Sequence, residues 1–450
     1  MYGGKFYLRF EDTDPRLKRP VLEFYDLIRE DLIWLGCKWD EEFIQSERLP
    51  IYYEHARKLL EIGGAFVCTC DKEVFRRKIL SKQPCPCRNL PVTEQLARWD
   101  KMLDGTYEEG DAIVRVKTDV SHPNPAVRDW PALRIIDTTK HPHPRVGSKY
   151  HVWPLYNFAC GLDDHLNGIT HIIRGKEHVT NEARQKYMYM HFGWSYPEAI
   201  HYGRLRVVGA ALSKSKIMKA LADGTVESFS DPRLATLASL RRRGITSEAL
   251  RRMVIEVGPK PVDVTISWEN IYAYNRKIVD PAANRYFFIP NPIIMTVSGL
   301  TKDFTSTIAL HPNHLDRGYR KLYVKQFGGV AKLAISADDL KLLKEHEVVR
   351  LMELFNVKVN FISEKRVEAS FLSEPYTEAK KVGAPLIQWL PAGTGIETNV
   401  VMPTANVTKG LAEDACRQLS ENTIIQFERF GFVKIDKITQ NLLIAYYAHR

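Results

Sequence analysis

The 450-residue chain is predicted to open as an α/β domain, to carry an insertion within that domain, and to end in β-structure. Three observations predict this. The first 65 residues read strand, helix, helix, strand. Residues 66–147 break that texture with clustered cysteines and prolines. After Pro281 the apolar residues change from a three-to-four-residue period to a two-residue one.

Taken in order, Lys5–Phe10 (KFYLRF) reads as a buried strand. Leu22, Tyr25, Ile28, Leu32 and Leu35 then recur at helical spacing. Pro20 suits the first turn and Gly36 stops the run. A second helix is expected over 50–62, with Pro50 near its start and Gly63 and Gly64 after it. Inside 66–147, residues 112–116 (AIVRV) read as a strand. From 148 the α/β pattern resumes through 150–161, a strand at 168–174 and a helix near 180–192. Residues 231–280 are mostly helical and basic, with arginines at 241–243 and 251–252. Further on, Phe355, Val357, Val359 and Phe361 alternate with Asn356, Lys358 and Asn360, as in a half-buried strand. Short strands with turn residues between them continue to Arg450, which predicts one or two β-barrels.

Composition bounds the function. With 44% hydrophobic and 26% charged residues the chain is not a disordered one. The 64 Lys and Arg against 54 Asp and Glu leave +10, which favours a polyanionic partner such as nucleic acid. No apolar run approaches the ~18 residues that span a bilayer, so no membrane partner is expected. The first residues lack the apolar core of a signal peptide. Seven cysteines, an odd number, argue against a secreted disulfide framework. A cytoplasmic protein is expected.

Three constellations carry chemistry. Cys68-Thr-Cys70 and Cys85-Pro-Cys87 are separated by fourteen residues, so four thiolates can fill one tetrahedral zinc site. With every position taken by protein, that zinc would be structural. Leu212, Ser213, Lys214, Ser215 and Lys216 form a small-residue loop with two lysines ahead of a helical stretch, suited to a triphosphate. Glu11, Tyr156 and Arg174 make the third set. Glu11 and Arg174 each follow a predicted strand at its carboxyl end, where open α/β sheets bind ligands. A carboxylate there can hold an ammonium group and an arginine a carboxylate. A structural Glu–Arg pair is the alternative reading of those two residues.

These residues resemble the archaeal-type glutamyl-tRNA synthetases, in the glutaminyl/glutamyl subfamily of class I aminoacyl-tRNA synthetases. The matching stretches are GGKFYLRFEDTDP from Gly3 to Pro15, WPLYNF from Trp153, and DDHLNGITHIIRGKEH from Asp163 to His178. YGRL at 202–205, LSKSK at 212–216 and WENIYAYNRK at 268–277 complete the set, and their order is more specific than any one of them. The resemblance runs through all 450 residues and is strongest over 1–290.

The resemblance implies a Rossmann-type catalytic domain in two parts, 1–65 and 148–230. Residues 66–147 would be an inserted acceptor-binding subdomain with a zinc-type cysteine cluster. A helical connector would follow at 231–285 and anticodon-binding β-barrels at 286–450. It implies a glutamate–tRNA ligase that activates L-glutamate with ATP and Mg2+ and charges tRNA(Glu), either alone or together with tRNA(Gln), working as a monomer. In the family the residue matching Glu11 holds the substrate amine, Tyr156 contacts the amino acid, and Arg174 reads its side-chain carboxylate. Arg204, Leu205, Leu212, Ser213 and Lys214 match ATP-binding positions, with Lys214 stabilising the triphosphate during adenylate formation. The arginines of 231–280, with Arg317, Arg320, Lys321 and Lys325, would track tRNA phosphates. Trp389 and Phe327 are read as core residues in preference to base-stacking ones.

One signature is missing. Class I enzymes carry His-x-Gly-His after their first strand, and this chain has none; His191-Phe-Gly-Trp194 fails at its fourth residue. The chain is therefore expected to be N-terminally truncated relative to the family, which puts its activity as written in question. The rival readings are a non-catalytic tRNA-binding relative and a glutaminyl-tRNA synthetase. A Rossmann dehydrogenase is remote, because no Gly-x-Gly-x-x-Gly occurs.

Overall fold

The second predicted helix shows how the core is organised. Pro50 sits in its first turn, and Leu49, Tyr52, Ala56, Leu59 and Leu60 form one fully buried stripe. In the computed structural model this helix, α2, spans Leu49–Glu61. It ends at Gly63, whose φ of 74° suits glycine. At Gly64 an added Cβ would lie 2.7 Å from Leu59 Cδ1 and 2.8 Å from His191, so no side chain fits without movement.

The structure describes residues 3–210 and 214–450, which divide into two compact units. The first comprises residues 1–205 and 257–264. It begins with β1 (Tyr7–Phe10) and α1 (Leu22–Trp34), followed by β2 (Glu41–Ile44), which pairs in parallel with β1. The strand expected at Lys5–Phe10 is shorter, and its burial alternates where continuous burial was expected. Of the α1 stripe only Tyr25 is buried; Leu22 and Ile28 are exposed. The strands β3 (Ala65–Cys68), β4 (Ile113–Val116), β5 (Pro131–Ile135) and β6 (Val152–Pro154) form one antiparallel sheet in that order. Its last strand lies beyond residue 147, the expected end of the insertion. The helices α3 (Lys72–Leu80) and α4 (Val92–Leu103) belong to the same region. Next come α5 (Tyr156–Leu166), β7 (His171–Gly175), α6 (Val179–Phe192) and β8 (Glu198–Tyr202), with β7 and β8 paired in parallel. The main core joins the α2 stripe to Trp99, Met102, Val114, Leu133, Trp153, Phe158 and Met188.

The second unit comprises residues 206–256 and 265–450. Ahead of its sheets run the helices Lys214–Ala222, Leu237–Arg243, Ser247–Val257, whose last residue falls in the first unit, and Trp268–Val279. The last begins with a capping box in which Ser267 and Asn270 satisfy each other's backbone N–H groups. After it the chain builds two seven-stranded mixed sheets and the two-stranded hairpin Phe304–Ala309 with Tyr319–Val324. The strand expected around Phe355–Phe361 forms at Asn356–Ile362, with Val357 and Val359 fully buried. No helix among the described residues is long and apolar enough to cross a membrane.

Candidate active site and cysteine cluster

Tyr156, Cys160 and Asp164 sit four residues apart, so they share one face of α5. The end of β1 faces them with Arg9 and Glu11. Arg9 bridges the two acids: its Nη1 donates to Asp164 Oδ1 at 2.5 Å and its Nη2 to Glu11 Oε1 at 2.9 Å. The Cys160 thiol donates to the same Glu11 oxygen at 3.1 Å. Burial pushes that thiol far above its ordinary value, which keeps it a neutral donor. Burial also pushes the Asp164 carboxyl up, against the opposing pull of Arg9.

Arg174, near the end of β7, is buried, with 7% of its surface exposed. Its Nη1 donates to Gln185 Oε1 at 3.0 Å and its Nη2 to the Tyr196 hydroxyl, both neutral groups. Its Nε has no partner. Gln185 is held in that orientation by its own Nε2, which donates to the Asn157 carbonyl at 3.2 Å. Tyr156 lies within the fields of both charged residues. Burial pushes its phenol up, with the charge of Glu11 adding and the Arg174 guanidinium opposing. The structure thus brings Glu11, Tyr156 and Arg174 together. Sequence reasoning placed Arg9 at the same strand end without its bond to Asp164, and missed Cys160, Asp164, Gln185 and Tyr196. The four-residue spacing along α5 was the signal for two of these.

Arg204 is exposed, its Nε 3.6 Å from Glu177 Oε1, and its backbone N–H donates to Asp263 Oδ1 at 3.0 Å. Leu205 follows it, 36% exposed. Leu212 and Ser213 lie outside the described residues, and Lys214 begins the helix Lys214–Ala222 of the second unit.

Cys68 ends β3, Cys70 follows it, and Cys85 and Cys87 lie at the short 3-10 turn Pro86–Asn89. The sulfur atoms of Cys70 and Cys85 are 3.2 Å apart, those of Cys68 and Cys85 3.5 Å, and those of Cys70 and Cys87 3.7 Å. All four fall within 4.8 Å of one another. Four sulfurs about 2.3 Å from one zinc would stand about 3.8 Å apart, so the donor set fits that ion. Around them Phe66, Phe75 and Ile79 complete a small core.

Several residues expected to face nucleic acid are engaged within the second unit. Arg320 is buried against Glu413 at 2.7 Å, Glu428 at 2.8 Å and the Ala309 carbonyl at 2.6 Å, so it is closed to phosphate. Arg243 is also buried, donating to the Ala448 carbonyl and the Tyr272 hydroxyl. Arg242 bonds Asp436, and Arg317 holds the Pro281 and Ala282 carbonyls. Trp389 is fully buried, as expected of a core residue, and its Nε1 donates to the Met352 carbonyl at 2.8 Å. Phe327 is the opposite of the expectation: 80% of its surface is exposed.

Comparison with known proteins adds the following. Residues 1–281 match the model of the catalytic domain of tRNA synthetases class I (E and Q). Residues 283–372 and 386–436 match the two anti-codon binding domains of the same group. A glutamate–tRNA ligase of Pyrococcus horikoshii is 53% identical over all of this chain and 78% of its own length. The Methanopyrus kandleri glutamate–tRNA ligase is 44% identical over all of this chain and 77% of its own.

Proposed function

We propose that this chain, which belongs to the class I tRNA synthetases of the glutamate and glutamine group, is a glutamate–tRNA ligase. It takes L-glutamate and ATP with Mg2+ to glutamyl-adenylate and pyrophosphate. It then passes the glutamyl group to the 3′-terminal ribose of tRNA(Glu). The observation that carries this reading is the buried Arg174 guanidinium, whose bonded neighbours are neutral, beside Tyr156 and Glu11.

In this reading Arg174 takes the side-chain carboxylate of glutamate, Glu11 its ammonium group, and Tyr156 bounds the space between. Glutamine presents a neutral amide to the same cation and leaves its charge uncompensated. Sites that leave buried polar groups unpaired reject an analogue by about 10⁴-fold. Arg204, Leu205, Leu212, Ser213 and Lys214 hold ATP, with the Lys214 ammonium countering charge that grows on the triphosphate. Loss of such a donor costs about 10²–10³ in rate, the fall expected in adenylate formation for Lys214→Ala. A zinc ion held by Cys68, Cys70, Cys85 and Cys87 ties two loops together and takes no part in the chemistry.

Pyrophosphate exchange and calorimetric amino-acid binding test the proposal, each run with glutamate and with glutamine. Exchange and binding specific to glutamate support it. A preference for glutamine makes the chain a glutaminyl enzyme, and tRNA binding with no amino-acid binding makes it a non-catalytic relative. Charging of purified tRNA(Gln) beside tRNA(Glu) sets the tRNA range.

A further inference from the structure

Arg174 is anchored by one buried amide. Gln185, on α6, has no exposed surface. Its Oε1 accepts twice, from Arg174 Nη1 at 3.0 Å and from the Tyr196 hydroxyl at 2.8 Å. Its Nε2 donates to the Asn157 carbonyl at 3.2 Å, which sets the end of the amide that meets the arginine. A glycine of α5 gives the amide its room. A Cβ at Gly161 would lie 3.2 Å from Gln185 Cγ, 3.3 Å from its Nε2 and 2.7 Å from Met188 Cε.

The Tyr196 hydroxyl is the second anchor. Its proton goes to Gln185 Oε1, so its lone pairs are left to accept from Arg174 Nη2. Burial pushes this phenol up to about 12, and it stays neutral at pH 7. Its ring packs edge-on against Tyr189, the centroids 4.9 Å apart.

Both anchors are therefore uncharged. No carboxylate among the described residues forms an ion pair with Arg174. Asp164, whose carboxyl feels this cation, is itself bonded to Arg9 at 2.5 Å. Buried charges are ordinarily paired, and a carboxylate is the usual partner of a guanidinium. Glutamate, the isostere of glutamine, would supply one at position 185; the chain has the amide instead.

We infer that Gln185, with Tyr196, is a positioning residue that sets amino-acid selectivity through Arg174: it fixes the guanidinium without cancelling its charge, and so reserves that charge for the carboxylate of the ligand. The inference deepens the ligase reading and rests on it, since it takes the glutamate side chain to be the anion that Arg174 meets. A carboxylate at 185 would pre-empt that anion. The site would then present a compensated pair, to which a neutral amide binds about as well as an acid.

Calorimetric titration of the 450-residue protein with glutamate and with glutamine, beside urea unfolding, tests this. Wild type should prefer glutamate. Gln185→Glu should lower glutamate affinity by about a hundredfold, the worth of a bond to a charged group, and bring the two affinities within about tenfold of each other. Gln185→Leu and Tyr196→Phe should each lower glutamate affinity about two- to tenfold, as one anchor is lost, and keep the preference, because neither adds a charge. That contrast between charged and uncharged substitutions is a readout that loss of packing does not produce. A Gln185→Glu protein with the wild-type preference overturns the inference. So does a Gln185→Leu protein that loses the preference as fully as Gln185→Glu. Where Gln185→Glu does not fold, the uncharged variants decide: the expected fall with the preference kept supports the inference, and unchanged glutamate affinity in both overturns it. Wild type with no preference for glutamate overturns the ligase reading and the inference together, whereas the other failures remove the inference and leave that reading in place.

Discussion

Replacing Arg174 by methionine separates ligand recognition from folding more cleanly than any other single change in this molecule. In the wild-type chain the guanidinium donates to Gln185 Oε1 and to the Tyr196 hydroxyl, and its Nε is unpartnered. Methionine fills similar volume without charge. The Tyr196 hydroxyl still donates to Gln185 Oε1 at 2.8 Å, so that oxygen keeps a partner. One buried atom without a partner disappears with the arginine. Stability should therefore stay within about 1 kcal/mol of wild type or rise, since exchanging a buried charge for a packed apolar group is often neutral or better. Glutamate binding should collapse. A hydrogen bond to a charged group contributes about 1.5–3 kcal/mol, so loss of two costs about 3–6 kcal/mol, or about 10²–10⁴ in affinity. If Arg174 reads the side-chain carboxylate as proposed, discrimination against glutamine should fall below about tenfold, because an amide and a carboxylate then meet no cation. Calorimetric titration with both amino acids, paired with urea unfolding, measures both arms. A variant that unfolds like wild type yet binds and selects glutamate as before would refute the reasoning.

Other outcomes follow from the same structure. Metal analysis of the purified protein should find one zinc per chain, and Cys87→Ser should lower both the zinc content and the unfolding midpoint; a zinc-free protein of unchanged stability would exclude the structural role. His449 is fully buried, its Nε2 accepting from Asn275 Nδ2 at 3.0 Å, and burial pushes its pKa down from 6.5 to about 4. Because the unfolded chain takes the proton first, stability should be complete above about pH 6.5 and decline by about 3 kcal/mol toward pH 4. Urea unfolding across that window should lose this slope in His449→Gln, and a slope that persists in the variant would place its origin elsewhere. Arg320→Met takes the cation from the buried Glu413 carboxylate, whose own Oε2 already lacks a partner. A cost of about 3–5 kcal/mol is expected, and a measured loss under 1 kcal/mol would contradict the ion-pair account.

Periodicity located the elements that local sequence controls. The α2 stripe and the strand around Val357 and Val359 follow from patterns of 3.6 and 2 residues. The cysteine cluster was legible for the same reason, because its four thiols are close along the chain. What periodicity misjudged was the environment beyond the element. The α1 stripe is apolar as read, yet Leu22 and Ile28 face solvent, since burial depends on what packs against a helix. Arg320 was read as a surface cation because nothing nearby in sequence announces Glu413, 93 residues away. The same distance effect hid Arg9 with Asp164. Phe327 was misjudged by residue type alone, although the two glycines after it are a turn signal that should have outweighed the preference of phenylalanine for cores.

At the turn of Gly328 and Gly329, Phe327 and Val330 exchange both backbone hydrogen bonds and Gln326 Oε1 accepts from Gly329 N–H at 2.7 Å, and these tethers carry a thermodynamic consequence. A ring on a slack loop surrenders conformational freedom when a partner captures it, and that entropy is subtracted from the affinity. Here most of the ordering is already done in the uncomplexed chain. For any partner that captures this ring, the entropy lost on binding is therefore smaller. Loosening the tip would lower affinity with every contacting atom still in place.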